Sequence, residues 1–394
     1  MKIAFVSNYI SHHQIPFCEA MYERLGEDYA FVELMPMEEE RRKMGWEEAK
    51  PAYVRRLYEE EAQGLQDGPV RQLIRDCDIL LFGGMDREEL VYERLLINRP
   101  VIRISESIYK DGRWRAVSPR GLIHKYQEFT RWRKAPAYLL CAGAYVAGDF
   151  ELIGAFPNRK YTWGYFPPLV QYESEEELFG RKHPEDPGEV RILWTGRFVD
   201  FKHIEMMAEL IRMVRERYVP EHPEQKICFE IIGSGAEEEA LRSEFGDSVE
   251  FTGFLPADQV RPHMERADLL VFTSDRGEGW GAVVNEAMNS GCAVVASHAA
   301  GAVRSLIRDD INGRIYTFGD REDLYRKVTE LLTDSERIRQ LGAAAYRTIL
   351  EEWNAQEAAD RLLALCACIL ENRPFDAPAE GPMSRAVSDR KCSG

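Results

Sequence analysis

What this 394-residue chain lacks narrows its function before any motif is read. No apolar run approaches the roughly 18 residues that a membrane-spanning helix requires. The N-terminus, MKIAFVSNYI, reads as a strand and has neither the charged region nor the cleavage site of a secretory signal. A cytoplasmic chain is the expectation. The eight cysteines show no paired spacing. Cys366 and Cys368 stand two apart on a predicted helix and so face different directions, a poor arrangement for a metal. Reduced, buried thiols are expected, with no disulfide framework. Cations are short as well: the formal net charge is −16, which argues against nucleic acid as a partner of the molecule as a whole. Finally, Ser7–Gln14, which follows the first predicted strand, contains no glycine. The Gly-x-Gly-x-x-Gly turn of a dinucleotide-dependent oxidoreductase is therefore missing.

What is present describes a soluble α/β protein. Hydrophobic residues make up 45% and charged residues 30%, enough for two cores of ordinary size. In the first half, Lys2–Ser7, Ala30–Leu34, Asp78–Phe82, Pro100–Ile104 and Ala137–Ala142 read as strands separated by helices, and 37–67 reads as charged and helical. Such alternation implies a parallel sheet with right-handed crossovers. Asp76-Cys77-Asp78 looks like a metal motif but enters a strand at its N-terminal end, away from the crevice where these sheets bind ligands. The alternation restarts at Val190–Thr195 and runs through Ile227–Ile232, Val249–Thr252, Ala267–Thr273, Cys292–Ser297 and Gly313–Phe318. The divisions expected are a first domain over 1–170, a linker over 171–188 and a second domain over 189–352. Ser335–Leu370 reads as two helices broken near Trp353-Asn354, and 373–394, rich in Pro, Ser and Gly, as a disordered tail.

The richest stretch is Thr273–Ser297, TSDRGEGWGAVVNEAMNSGCAVVAS. A strand, the glycines Gly279 and Gly281 around Trp280, and a helix from Ala282 to Asn289 together make an anion site, because free N–H groups and the helix dipole point at one spot. Glu278 in the turn and Glu286 in the helix bracket that spot. An ionised carboxylate only accepts hydrogen bonds and can take a vicinal diol in a bidentate way. The plainer reading is a Rossmann-type turn with two solvated glutamates. Against it, Glu286 lies among Ala282, Val283, Val284, Ala287 and Met288, where an unpaired carboxylate is costly. Upstream, Arg197 and Lys202 follow a strand end and supply two fixed cations, and Gly233-Ser234-Gly235 makes a further strand-exit turn.

Taken in order, GRF with Lys202, IGSG at 232–235, FTGFLP at 251–256 and EGWG…NEAM…G resemble the C-terminal domain of the retaining GT-B glycosyltransferases of the family 4 type. The Glu-x7-Glu spacing from Glu278 to Glu286 is the most specific element, and the resemblance covers about residues 190–355. It implies two Rossmann-like domains facing a cleft and a donor that is a nucleotide-diphosphate sugar, UDP-sugar first, with no cofactor and no metal. It implies that Arg197 and Lys202 bind the diphosphate and that Glu286 takes the ribose. Glu278 would meet the sugar, beside the backbone of Gly279, Trp280, Gly281 and Ala282, with Gly233 and Gly235 also on the donor. The helix over 353–372 would cross back to the first domain. Sugar would move with retained configuration to a glycan or lipid-linked hydroxyl, in surface polysaccharide assembly.

The departure lies in the first domain. Where many relatives carry a histidine after the strand matching Val101–Ile104, this chain has Ser105-Glu106-Ser107. Either Glu106 takes that place, or His12 or His13 does, in the loop beginning at Asn8. A non-catalytic nucleotide-sugar-binding subunit is the rival reading. Lys110–Lys134 holds eight Lys/Arg against two acids, interleaved with aromatics. Its arginines, Arg113 and Arg115 among them, either stack on those rings or meet an acceptor at the inner face of the membrane.

Overall fold

Every residue of β1 (Ile3–Ser7) is buried, the mark of a central strand in a parallel sheet covered on both faces. A computed structural model describes residues 1–39, 51–84, 87–110, 112, 118–182 and 188–388. Around β1 the first sheet adds β2 (Tyr29–Glu33), β3 (Val54–Arg56), β4 (Ile79–Phe82), β5 (Val101–Ser105), β6 (Ala137–Ala142) and β7 (Lys160–Trp163), in the order β3-β2-β1-β4-β5-β6-β7. All pairs are parallel. The chain runs outward from β1 to β3, then returns to β4 on the other side of β1. The loops after β1 and β4 therefore diverge at a topological switch point, where sheets of this kind bind ligands.

The second sheet contains β8 (Glu189–Thr195), β9 (Lys226–Ile232), β10 (Glu250–Gly253), β11 (Leu269–Phe272), β12 (Ala293–Ser297) and β13 (Arg314–Tyr316), ordered β10-β9-β8-β11-β12-β13. It too is parallel throughout, with its switch point between β8 and β11. The chain divides into two compact units, Met1–Pro168 together with the chain from Asn354 onward, and Leu169–Trp353. Each is a Rossmann-like unit.

The break near Trp353-Asn354 is real. Helix Ser335–Glu351 ends there, and the Asn354 side chain caps helix Ala355–Leu370 by accepting from the Glu357 amide at 2.9 Å. That second helix lies on helix Ile15–Leu25 of the first unit, where Arg24 Nε donates to Asp360 at 2.5 Å and Nη1 to Gln356 at 2.6 Å. Among the described residues every cysteine is free, and six of these seven are buried. Burial pushes the Cys292 thiol up to about 11 and Cys18 to about 12, so both stay protonated. No helix of the described residues is long and apolar enough to cross a membrane.

Three expectations need correction. The charged stretch 37–67 holds a strand, β3, because Arg56 turns inward to Glu33 at 3.0 Å on the neighbouring β2, a tertiary partner that composition does not show. The presumed linker 171–188 carries helix Glu175–Gly180, and its Leu178 is fully buried with Tyr172 and Tyr346 in the second unit; 183–187 lie outside the described residues. The tail is not disordered as far as residue 388. It adds to the exposed edge of β7: the Met383 amide donates to Thr162 O, and the Thr162 amide to Ser384 O, both at 2.8 Å. An edge strand offers a row of unpaired amides and carbonyls, which is why a Pro- and Gly-rich segment becomes ordered against it. Met383 is completely buried there. Met383→Ala is expected to cost about 2–5 kcal/mol, as for other buried methionines. Urea denaturation of the full chain checks this, and an unchanged midpoint is the result a disordered tail would give.

Candidate functional site

In the second unit all six strands are parallel, so the loops at their C-terminal ends leave along one edge of the sheet. The loops after β8, β9 and β10 touch backbone to backbone. The Gly196 amide donates to Ile232 O at 3.0 Å and the Gly233 amide to Gly253 O at 2.8 Å. A Cβ on Gly233 would stand 1.8 Å from Gly196 O, so no larger residue fits without moving the loop. Gly235 is equally closed, by Phe198. These two glycines, expected on a donor, are thus explained by loop packing.

Across the switch point the loops after β8 and β11 are sewn together. Thr273 Oγ1 accepts from Trp194 Nε1 at 2.9 Å and donates to Lys202 O at 2.5 Å, while the Asp275 amide donates to Phe201 O at 3.0 Å. This brings the Lys202 ammonium onto Glu278, an ion pair whose side chains are only 13% and 14% exposed. Ser274 Oγ donates to the same Glu278 oxygen, Oε2, at 3.1 Å. Gly281 then takes the left-handed conformation, φ 96°, that starts helix Ala282–Asn289, and no side chain caps that helix. Of its first-turn amides, that of Val284 donates to Gly281 O at 3.0 Å, and those of Ala282 and Val283 have no intrahelical acceptor.

Glu286 sits on this helix, half-buried. Burial pushes its carboxyl up to about 7, against the opposing pull of Arg261 and Lys202. Lys202 therefore acts electrostatically on both glutamates. Arg261, which sequence reasoning missed, also donates to Asn289 at 3.0 Å and so ties the end of the Glu286 helix. A lone arginine on a polar helix gives no signal of this. The Trp280 side chain is core: it is 1% exposed, its Nε1 donates to Asn285 at 2.7 Å, and its ring meets Trp353. Of Trp280, the backbone alone remains for a ligand. Arg197 is exposed, and no hydrogen bond or ion pair engages its guanidinium among the described residues.

The first unit has its own cavity of about 720 Å³ at its switch point, lined by Asn8, Gln14, Gly83, Arg103, Glu106 and Tyr165 among others. Glu106 is held from both sides: Lys110 Nζ donates to it at 2.5 Å, and the Tyr165 hydroxyl donates to its other oxygen. His13 stacks on Tyr165 with centroids 6.1 Å apart, and the His12 ring lies tilted against His13 at 3.7 Å. Asn8, Glu106 and His13 thus belong to one region of the first unit. Arg113 and Arg115 lie outside the described residues. The described cations of 110–134 are mostly engaged: Lys125 pairs with Glu128 at 2.8 Å, and Arg131 lies 4.6 Å over both Tyr92 and Trp132. Among the described residues no three His, Cys, Asp or Glu side chains are grouped as metal ligands would be. Asp78 instead accepts the Lys2 amide at 2.8 Å.

The raised Glu286 value has a signed consequence. The folded chain holds this proton to about pH 7, and the unfolded chain loses it near the usual carboxylate value. Stability from this group is therefore lost as pH rises across that window. Glu286→Gln should match wild type near pH 5 and exceed it near pH 8 in urea denaturation; equal pH dependence would mean that the carboxyl is not desolvated.

Residues 175–348 match the family model described as glycosyl transferases group 1. Two curated relatives are the sulfoquinovosyl transferase SQD2 of Arabidopsis thaliana, 31% identical over 222 residues, and the 2-deoxystreptamine N-acetyl-D-glucosaminyltransferase of Streptomyces fradiae, 30% over 212. The alignments cover 55% and 52% of this chain but only 40% and 48% of those proteins. Among solved structures, Anabaena HepE in complex with UDP superposes with a TM-score of 0.66 at 14% identity, covering 93% of this chain and 100% of that one. At such identity the likeness speaks for the fold alone. The chain takes the α/β GT-B fold, and its residues 175–348 carry a domain similar to the glycosyl transferases group 1 family.

Proposed function

We propose that this chain is a retaining, metal-independent hexosyltransferase of the family 4 type, using a nucleotide-diphosphate sugar as donor. The observation that carries the reading is the convergence at the second switch point of Lys202, Glu278 and Glu286 beside an uncapped helix N-terminus. One ammonium between two carboxylates suits a ligand with a diphosphate flanked by two diols, one on the ribose and one on the sugar. Arg197 adds a second cation, and its lack of a partner leaves it available to an anion. The relatives named above are sugar transferases, and HepE was solved with UDP, which supports UDP as the nucleotide.

In this reading the bond from the anomeric carbon to the diphosphate breaks with its electron pair leaving on the phosphate. The acceptor hydroxyl bonds to that carbon on the same face and gives its proton to the departing phosphate oxygen. Lys202, Arg197 and the helix amides stabilise the charge that develops. Asn8, His12, His13 and Glu106 of the first unit hold the acceptor, a glycan or lipid-linked hydroxyl in surface polysaccharide assembly. The commitment of Glu106 to Lys110 and Tyr165 favours the rival, a non-catalytic nucleotide-sugar-binding subunit. Single-turnover transfer or donor hydrolysis separates the two.

Lys202→Ala is expected to lower transfer by about 10²–10³, the loss typical of one electrostatic group in an active site. Transfer should survive EDTA. Glu286→Ala should weaken UDP and UDP-sugar alike, and Glu278→Ala the sugar-bearing donor alone; calorimetry with both ligands reads the difference. Loss of transfer on chelation, or equal losses for both ligands in both variants, would reject the assignment.

Contact with the inner face of the membrane rests on the helix Pro119–Glu128, where Leu122, Ile123 and Tyr126 are exposed at 44%, 61% and 58% beside Lys125 and Arg120. Apolar side chains beside cations suit an anionic lipid surface. Co-sedimentation with anionic vesicles should be salt-sensitive and fall when Arg113, Arg115, Arg131 and Arg133 are reversed in charge. A chain that never pellets with anionic vesicles has a soluble acceptor.

A further inference from the structure

We propose that His203 is a positioning residue that locks Lys202 to the Glu278 turn by bridging Asp275 and Glu205. The inference rests on the proposed donor site for its consequence but not for its geometry. His203 directly follows Lys202 and adopts the left-handed conformation, φ 51° and ψ 56°. That region is uncommon for side chains other than asparagine, aspartate and histidine, and glycine enters it freely. The ring is engaged at both nitrogens. Nε2 meets Asp275 Oδ2 at 3.0 Å and Nδ1 meets Glu205 Oε1 at 2.5 Å. A neutral imidazole has one N–H and can donate to only one carboxylate; the imidazolium donates to both.

Asp275 is what makes this bridge matter. Its other oxygen accepts the Gly277 amide at 2.7 Å, its carbonyl accepts the Glu278 amide at 3.3 Å, and its own amide donates to Phe201 O. Asp275 thus shapes the turn that carries Glu278, and His203 fastens Asp275 to the loop that carries Lys202. Two further bonds run between the same loops, from Thr273 Oγ1 to Lys202 O and from the Asp275 amide, so the ring closes a third stitch. The groups facing it are Asp275 from the loop after β11, Glu205 from its own helix, the Lys202–Glu278 pair, and the uncharged Phe318 ring at 4.8 Å. Partial burial works to lower the imidazole pKa, but the hydrogen bonds to Asp275 and Glu205 outweigh it, and the net shift is upward. A raised histidine contributes fully below its ordinary value, and the contribution is lost as pH rises through the folded one. The lock is therefore closed below the imidazole's raised pKa and loosens as pH rises through it.

The test uses the full chain and the variants His203→Gly and His203→Asn, both of which suit the backbone. Without any ligand, hydrogen exchange at the Gly277 and Glu278 amides, corrected for intrinsic rates, should show wild-type protection falling between pH 6 and pH 8.5. Both variants should lose protection at pH 6 and show no such fall. With ligand, calorimetry compares UDP with uridine, a ratio that cancels the ribose contribution and isolates the phosphates. His203→Gly should weaken UDP and leave uridine unchanged. Equal amide protection in the three proteins overturns the lock whatever the ligand data show. A wild type that binds neither UDP nor uridine overturns the donor reading alone, and the exchange arm still decides the role of His203. Retention of UDP affinity by His203→Gly with lost amide protection shows a lock that does not position Lys202, which also overturns the proposal.

Discussion

The second unit depends on keeping one ammonium ion, that of Lys202, in a largely buried place at the tip of a parallel sheet. A buried ammonium is tolerated only with a partner and satisfied hydrogens. Glu278 is that partner, and the turn bearing it is shaped to deliver it. The neighbouring loops can be understood as supports for this pair. Trp194 and Thr273 hold the Lys202 carbonyl, Gly233 lets the loop after β8 lie directly on the loop after β9, and the Glu286 helix is held at its end by Arg261. The helix itself starts at Gly281 with no side-chain cap, so its amides add positive potential where the ammonium already stands.

Two carboxylates near one cation do not share its effect equally. Glu278 touches the ammonium, whereas Glu286 feels it across a gap, and burial raises its carboxyl to about 7 in spite of Lys202 and Arg261. The pair of environments separates their roles. One acid is a fixed counter-ion. The other is pushed toward its neutral form by burial, its carboxyl raised to about 7.

Much of this was legible in the sequence, for a physical reason. Parallel strands buried on both faces are continuous apolar runs, so β1, β4, β6, β11 and β12 stand out, and the helix Ala282–Asn289 begins and ends where its glycines say. Glu286 was legible because an acid among apolar neighbours on a helix cannot be accidental. The failures share a cause. β3, the helix inside the presumed linker and the tail on β7 are ordered by partners distant in sequence, such as Glu33, Tyr346 and Thr162, and their own composition says only that they are polar or flexible. Arg261, Tyr165 and His203 were missed likewise, since one arginine, tyrosine or histidine carries no local pattern. At Gly233 and Gly235 the close approach that a Gly-x-Gly turn signals includes that of the chain's own loop.

The Lys202–Glu278 contact also constrains how a ligand enters. Glu278 Oε2 already receives both Lys202 and Ser274, so this carboxylate is committed to two partners before any ligand arrives. A role in which it attacks carbon would require it to give up both bonds first. A role as counter-ion and hydrogen-bond acceptor requires nothing of it. On the proposed reading, an arriving diphosphate adds a second anion beside an ammonium that Glu278 already holds. Lys202 is paired before any ligand arrives, so the cost of burying that charge is met by the fold. On the proposed reading the fold thus supplies the desolvated cation, the ligand supplies the anion, and Glu278 keeps its place beside them.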